Sequence, residues 1–151
     1  MRVEKIMTTT VQSITPEIDV AVAKAQMKQA GIRHLVVMRD GQVLGIVSER
    51  DLIRVRPRLV DERWTVEDVM TSRVVIAAPE TTVREAANLL RGHVIGCLPI
   101  IDGQRLVGIV TTSDLLDLIG RDATADRLRP PPATSDDEAL LEEDQAPLIR
   151  S

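Results

Sequence analysis

The sequence predicts an α/β (α+β) protein: two copies of one β-α-β-β-α unit packed sheet to sheet, followed by an acidic tail. Three observations carry that expectation. The chain repeats itself at a fixed offset, helical and strand periodicities alternate in the same order within each copy, and the composition changes after Gly120. The repeat weighs most, because an overlooked repeat misreads the whole fold. Val3-Glu4-Lys5-Ile6-Met7-Thr8 matches Val66-Glu67-Asp68-Val69-Met70-Thr71, an offset of 70 − 7 = 63 residues. Without a gap the offset then aligns Pro16-Glu17 with Pro79-Glu80, Ala23 with Ala86, Ile32 with Ile95, Leu35 with Leu98 and Leu52 with Leu115. The first unit is assigned to 1–57, a charged linker to 58–65, the second unit to 66–120 and the tail to 121–151.

Taken in order, Val11 to Ile14 reads as a short extended piece stopped by Pro16, whose predecessor is biased away from the helical region. Asp19 and its counterpart Thr82 are good N-caps. Val20, Ala23, Met27 and Ala30 follow at helical spacing, as do Val83, Ala86 and Leu90. Gly31 and Gly92 lie near the ends of these helices at non-equivalent positions. A buried strand follows, Leu35-Val36-Val37-Met38 or Leu98-Pro99-Ile100-Ile101, and Pro99 predicts an edge or an irregular start in the second copy. Asp40-Gly41 and Asp102-Gly103 mark hairpin turns. A third strand, Val43 to Val47 or Leu106 to Val110, passes into a closing helix. Neither unit buries enough surface to stand alone comfortably, hence the packing of one sheet on the other. Trp64 reads as a packing anchor where the second unit begins, with no ligand role.

Composition excludes several function classes. The chain is 44% hydrophobic, with one Trp and no Phe or Tyr, so it lacks the aromatic platforms on which single-stranded nucleic acid stacks. Its net charge of −4 has the wrong sign for a general nucleic-acid binder. From Arg121 onward eight acidic residues face four arginines, which leaves 19 − 4 = 15 bases and 23 − 8 = 15 acids in the repeat body. The acidity therefore belongs to the tail, which is expected to be mostly disordered, with Ala139-Leu140-Leu141 as a short turn or docking segment. No apolar run reaches the length that spans a bilayer, and no signal-peptide stretch follows Met1. One cysteine fits a reducing compartment, so a cytoplasmic location is expected. His34, His93 and Cys97 lack structural-zinc spacing, Cys97 lacks a partnered base, and no Walker loop or dinucleotide fingerprint is present. No metal site and no catalytic residue is assigned, and the chain is expected not to be an enzyme.

The repeated motif runs Gly45-Ile46-Val47-Ser48-Glu49-Arg50-Asp51 in the first copy and Gly108-Ile109-Val110-Thr111-Thr112-Ser113-Asp114 in the second. Each ends a strand in a hydroxyl and places a carboxylate at the mouth of a helix. A carboxylate accepts two hydrogen bonds from a cis-diol, and a hydroxyl with helix N-terminal amides suits a phosphate. Both patterns are also capping boxes with Asp in place of Glu, and a structural cap needs no ligand.

Two such copies resemble a tandem pair of cystathionine β-synthase (CBS) domains, the Bateman module. The resemblance rests on Ile6-Met7-Thr8 and Val69-Met70-Thr71, on Pro16 and Pro79, on Arg33-His34-Leu35-Val36-Val37 and Gly96-Cys97-Leu98-Pro99-Ile100, and on the two Gly-to-Asp motifs. It implies a pseudo-twofold sandwich with two clefts, and a homodimer. In ligand-binding members the motif aspartate takes the ribose hydroxyls and the Ser or Thr the phosphate. By that resemblance the first cleft would use Ser48, Arg50 and Asp51 with Arg33 and His34 near the phosphate, and Ala77, Ile95 and Gly96 around the adenine. The second would use Thr111, Ser113 and Asp114, with Ile14, Ile32 and Arg33. His34 and Arg33 have the uncharged counterparts Cys97 and Gly96, so the Asp51 cleft is expected to be the better supplied with positive charge.

The function this implies is an energy-sensing regulatory module for AMP, ADP or ATP, with S-adenosylmethionine in the same class, whose occupancy an unidentified protein partner reads. The alternative is a ligand-free interaction or dimerisation scaffold whose boxes are only caps. Nucleic-acid binding through Arg50, Arg54, Arg56 and Arg58 is the weakest reading, since the body is neutral.

Overall fold

The computed structural model describes residues 1–55 and 63–127, with side chains to Arg121. The chain divides into Met1–Leu118, which holds both repeats, and Ile119–Ser151, whose described part is the end of one helix. In the first repeat β1 (Ser13–Ile14) pairs in parallel with β2 (His34–Arg39), and β2 pairs antiparallel with β3 (Gln42–Ser48). Helix α1 (Val20–Ala30) joins β1 to β2, and the short α2 (Glu49–Ile53) follows β3. The second repeat opens with a single turn, α3 (Val66–Val69), and continues with α4 (Val83–His93), β4 (Cys97–Asp102), β5 (Arg105–Thr111) and α5 (Thr112–Arg127). The strand-helix-strand-strand-helix order is the one expected, except that the first strand of the second repeat is reduced to one bridge, Ala77 to Ile100.

Pro99 accounts for that reduction. In the first repeat the Val36 amide donates to the Gln12 carbonyl (3.2 Å), which helps hold β1 against β2. The repeat offset puts Pro99 at the place of Val36, and proline has no amide to donate. What remains is the Ala77 amide to Pro99 carbonyl (3.0 Å) and the Ile101 amide to Ala77 carbonyl (2.8 Å). Pro99 itself is fully buried within β4, opposite Ile109, so the irregularity falls on the neighbouring strand rather than on the start of β4.

Local chemistry sets the helix ends. The Asp19 carboxylate accepts from the Ala21 amide at 2.8 Å to cap α1. Thr82 and Glu85 close a capping box on α4, with bonds of 2.8 and 3.1 Å. Ala23 and Met27 on α1, and Ala86 and Leu90 on α4, are the buried positions that face each sheet. Both helices end in a Schellman motif. Gly31, at φ +67°, donates to the Lys28 carbonyl, and Ile32 donates to that of Met27. In the second repeat the equivalent residue is Val94, at φ +53°, and Gly92 lies inside the helix. The two hairpins also differ. Asp40 and Gly41 both have positive φ, the type I′ pattern, whereas the second loop is Gly103-Gln104, with Asp102 kept as the last residue of β4.

The lead-in segments of the two repeats are exchanged. Residues 1–8 pack on the second repeat: the Val3 amide donates to Thr81, the Val83 amide to Met1, and Thr8 and Ile109 exchange two backbone bonds of 2.9 Å. Val3 is fully buried in a core with Ala77, Ala86, Leu90, Leu98, Ile100 and Val110. Residues 64–71 pack on the first repeat in the same way. Val20 donates to Trp64, Val66 donates to Ile18, and Ile46 and Thr71 exchange bonds of 3.0 and 2.8 Å. Val66 is fully buried with Ile14, Ala23, Met27, Leu35, Val37 and Val47. The sequence boundaries of the repeats and the cores in space therefore differ by this exchange. A third cluster of Val36, Cys97 and Ile109, flanked by Val11, Met38, Val43, Ile46 and Leu106, joins the two sheets.

Helix α5 runs to Arg127, seven residues past the point at which a disordered tail was expected to begin. Gly120 is tolerated inside it, and Ala123 and Ala125 are strong helix formers, while the first proline stands only at position 130. The Pro-rich and acidic remainder, with Ala139-Leu140-Leu141, lies outside the described residues, as do linker residues 56–62.

Candidate functional site

Each motif places its carboxylate by a closed capping box. The Ser48 amide donates to Asp51 Oδ2 at 2.9 Å, and the Asp51 amide to Ser48 Oγ at 3.1 Å. In the second repeat the Thr111 amide donates to Asp114 Oδ2 at 2.8 Å, the Thr111 hydroxyl to the same oxygen at 3.1 Å, and the Asp114 amide to Thr111 Oγ1 at 3.3 Å. A carboxylate has about four lone-pair sites, so a cap that uses one oxygen leaves acceptor capacity for a ligand hydroxyl. Capping and binding are compatible.

Four of the residues expected in the first cleft, Arg33, Arg50, Asp51 and Gly96, come together at His34. Strand register sets His34 opposite Ser48, and the Glu49 amide donates to the Arg33 carbonyl at 2.8 Å, tying the start of β2 to that of α2. Burial holds the His34 imidazole below its ordinary 6.5. Asp51 opposes that shift, and Arg33 and Arg50 reinforce it, so all three charges act on one ring. The exposed Arg33 and Glu49 side chains form an ion pair of 3.9 Å, a geometry of little energetic weight in solvent. Gly96 comes against the same ring from the second repeat: a Cβ on it would fall 2.9 Å from His34 Nε2.

A pocket of about 220 Å³ opens beside Asp51, lined also by Arg54, Val55, Trp64 and Val69. Trp64 thus stands in a pocket wall, although its position at the head of a repeat indicated only packing. The exchanged lead-in segment brings it there, and no local pattern signals that. A larger open hollow of about 630 Å³ runs along α4 between Thr81 and His93 and includes none of the motif residues.

The Asp114 side differs in character. Cys97 stands opposite Thr111, where His34 stands opposite Ser48. Burial, and then the negative charge of Asp114, push its thiol up to about 12, so it remains an uncharged S–H. Ser113 is exposed. The four apolar residues assigned to the clefts by resemblance have core roles. Ala77 belongs to the second core with Ile95 packed against it, and Ile14 belongs to the first core with Ile32 packed against it. Ile32 and Ile95 each follow a helix-ending residue and donate to the Met27 and Leu90 carbonyls, which makes them the apolar partners of the two Schellman motifs. Arg33, assigned to both clefts, stands with His34 and Glu49.

Comparison with known proteins agrees with this architecture. The family model described as CBS domain matches twice, at residues 3–58 and 66–121. The CBS domain-containing protein YhcV of Bacillus subtilis is 32% identical over 114 residues, which are 75% of this chain and 81% of that one. Among solved structures, the CBS domain pair of protein MJ0100, in complex with 5′-methylthioadenosine and S-adenosyl-L-methionine, matches with a TM-score of 0.73 and 25% identity. That match covers 81% of this chain and 98% of the other. The cytosolic domain of the Mg2+ channel MgtE in complex with ATP matches with a TM-score of 0.62 and 30% identity, over 75% of this chain and 46% of that one. No helix among the described residues is long and apolar enough to cross a membrane.

Proposed function

The chain belongs to the CBS domain family, and from that premise we propose that it is a non-enzymatic, cytoplasmic regulatory module for adenosine-containing ligands. The observation that carries the proposal is the gathering of Arg33, Arg50, Asp51 and Gly96 around His34, with a pocket opening at Asp51 itself. Asp51 and Asp114 would accept the ribose hydroxyls, with Ser48 and Thr111 toward the phosphate end. Adenosine is the part common to the ligands in the MJ0100 and MgtE complexes. AMP, ADP, ATP and S-adenosylmethionine are therefore the compounds to test. Occupancy would act by favouring one arrangement of the repeats over another, and only differential affinity can drive such a shift. A protein partner outside this chain would read it.

Calorimetric titration of the wild type, Asp51→Ala and Asp114→Ala with the four compounds tests the reading. We expect saturable binding of at least one, and a loss of tenfold or more in each cleft whose aspartate is removed. No saturable binding by the wild type would overturn it. A second reading has one observation in its favour: both boxes close fully as caps. A scaffold of that kind predicts that both variants lose about 0.3–1.5 kcal/mol of stability from the capping box and show no ligand effect.

A homodimer belongs to the same proposal. Ile53 and Leu116 occupy the same place in the two repeats and are 69% and 63% exposed on α2 and α5. Glutamate at both positions is expected to give a monomer by light scattering. An unchanged mass would place the interface elsewhere or remove it.

A further inference from the structure

The twofold repeat provides an internal comparison of the two sides, position by position. Around Asp51 stand Arg33, His34, Glu49, Arg50 and Arg54, and the pocket wall includes Trp64. At the offset of 63 their counterparts in the second repeat are Gly96, Cys97, Thr112, Ser113 and Asp117, with Met1 in the place of Trp64. The backbone equivalence extends to that last pair, since Val20 donates to the Trp64 carbonyl as Val83 does to that of Met1. Among the side chains at these paired positions, with the motif aspartate included, three arginines and two carboxylates stand in the first repeat, and two carboxylates with no arginine or lysine in the second. The largest single change is Arg54 against Asp117, a reversal of sign one helical turn beyond the aspartate.

Resting on the adenosine reading above, we propose that the two clefts sort their ligands by charge. The Asp51 cleft takes a phosphorylated adenosine, and the Asp114 cleft takes an adenosine that is uncharged or carries a cationic substituent. The physical ground is that the two frames offer the same hydroxyl-carboxylate pair for the sugar. Discrimination then falls to the charges on either side of it, which act on whatever the 5′ carbon bears. Phosphate anions are attracted to the Arg50 and Arg54 side and repelled by Asp114 and Asp117, while a neutral or sulfonium nucleoside loses nothing on the acidic side. Arg50 and Arg54 are exposed, so the selection is expected to weaken as salt screens it.

The test uses ATP, adenosine and S-adenosylmethionine on the full chain. Asp114→Ala isolates the first cleft and is expected to bind ATP at least tenfold more tightly than adenosine, with the ratio falling as salt is raised. Asp51→Ala isolates the second and is expected to bind adenosine or S-adenosylmethionine at least as tightly as ATP. The double variant R50S/R54D leaves the Ser48–Asp51 box in place and gives positions 50 and 54 the residue types of Ser113 and Asp117. It should lose the ATP preference while it keeps adenosine. Equal ATP-to-adenosine ratios in both clefts, or a preference unmoved in R50S/R54D, would overturn the sorting and leave the adenosine reading standing. Failure of all three compounds on the wild type would overturn both.

Discussion

Gly45→Ala is expected to destabilise the protein by about 2–3 kcal/mol, near the upper end of what overpacking a filled core produces, and Gly108→Ala by about 1–2 kcal/mol. Both glycines lie where the exchanged lead-in segment of the opposite repeat crosses a sheet. A Cβ on Gly45 would fall 2.6 Å from Met70 Sδ and 2.8 Å from the Thr71 carbonyl oxygen. The methionine can swing away, but that carbonyl is held by the Ile46 amide at 3.0 Å, so relief means breaking the bridge that docks the segment. On Gly108 the Cβ would meet Met7 Sδ at 2.5 Å and the Thr8 carbonyl at 3.1 Å, a clash that falls more on the flexible side chain. Urea unfolding of the two variants measures the difference, and amide exchange should rise at Ile46 in one and at Ile109 in the other. A Gly108 variant that loses more than the Gly45 variant would contradict this account.

The second large effect is a pair of opposite signs at one position of the repeat. Gly31 and Val94 both end a helix in the left-handed region, where an L residue with a Cβ carries about 1–2 kcal/mol of strain and a β-branched residue is an outlier. Nothing lies within 4 Å of a Cβ placed on Gly31, so Gly31→Val meets only the backbone penalty and is expected to lose about 1–2 kcal/mol. Val94 is 84% exposed and contributes little burial. Val94→Gly relieves its strain, partly offset by the greater freedom of glycine in the unfolded chain, for a gain of about 0.5–1 kcal/mol. Thermal unfolding should show shifts of a few degrees in opposite directions. A shift of the same sign in both variants would remove backbone conformation as the cause.

Sequence alone determined what depends on neighbours a few residues apart. The offset of 63, the order of elements, the Asp19 and Thr82 caps and both Ser/Thr-to-Asp boxes are all interactions within one turn or one period, and they were legible as such. The grouping of Arg33 and His34 with Asp51 was implied by the family resemblance, and the hairpin register, which sets His34 opposite Ser48, is consistent with it. Tertiary structure decided what depends on segments far apart in the chain. The repeat offset pairs Val3 with Val66, but does not say that each is buried in the core of the other repeat. That exchange makes Gly45 and Gly108 obligatory, brings Trp64 to the pocket beside Asp51 and leaves Met1 in the equivalent place. The Schellman role of Ile32 and Ile95 met a similar limit, since an apolar residue after a helix has the same sequence signature whether or not it closes that motif. Only the packed backbone, with its donors aimed at Met27 and Leu90, shows the local role. The physical reason is one of range: caps and periods are written in contacts of a few residues, whereas the exchange is chosen by which of two equivalent hydrophobic faces a distant segment covers.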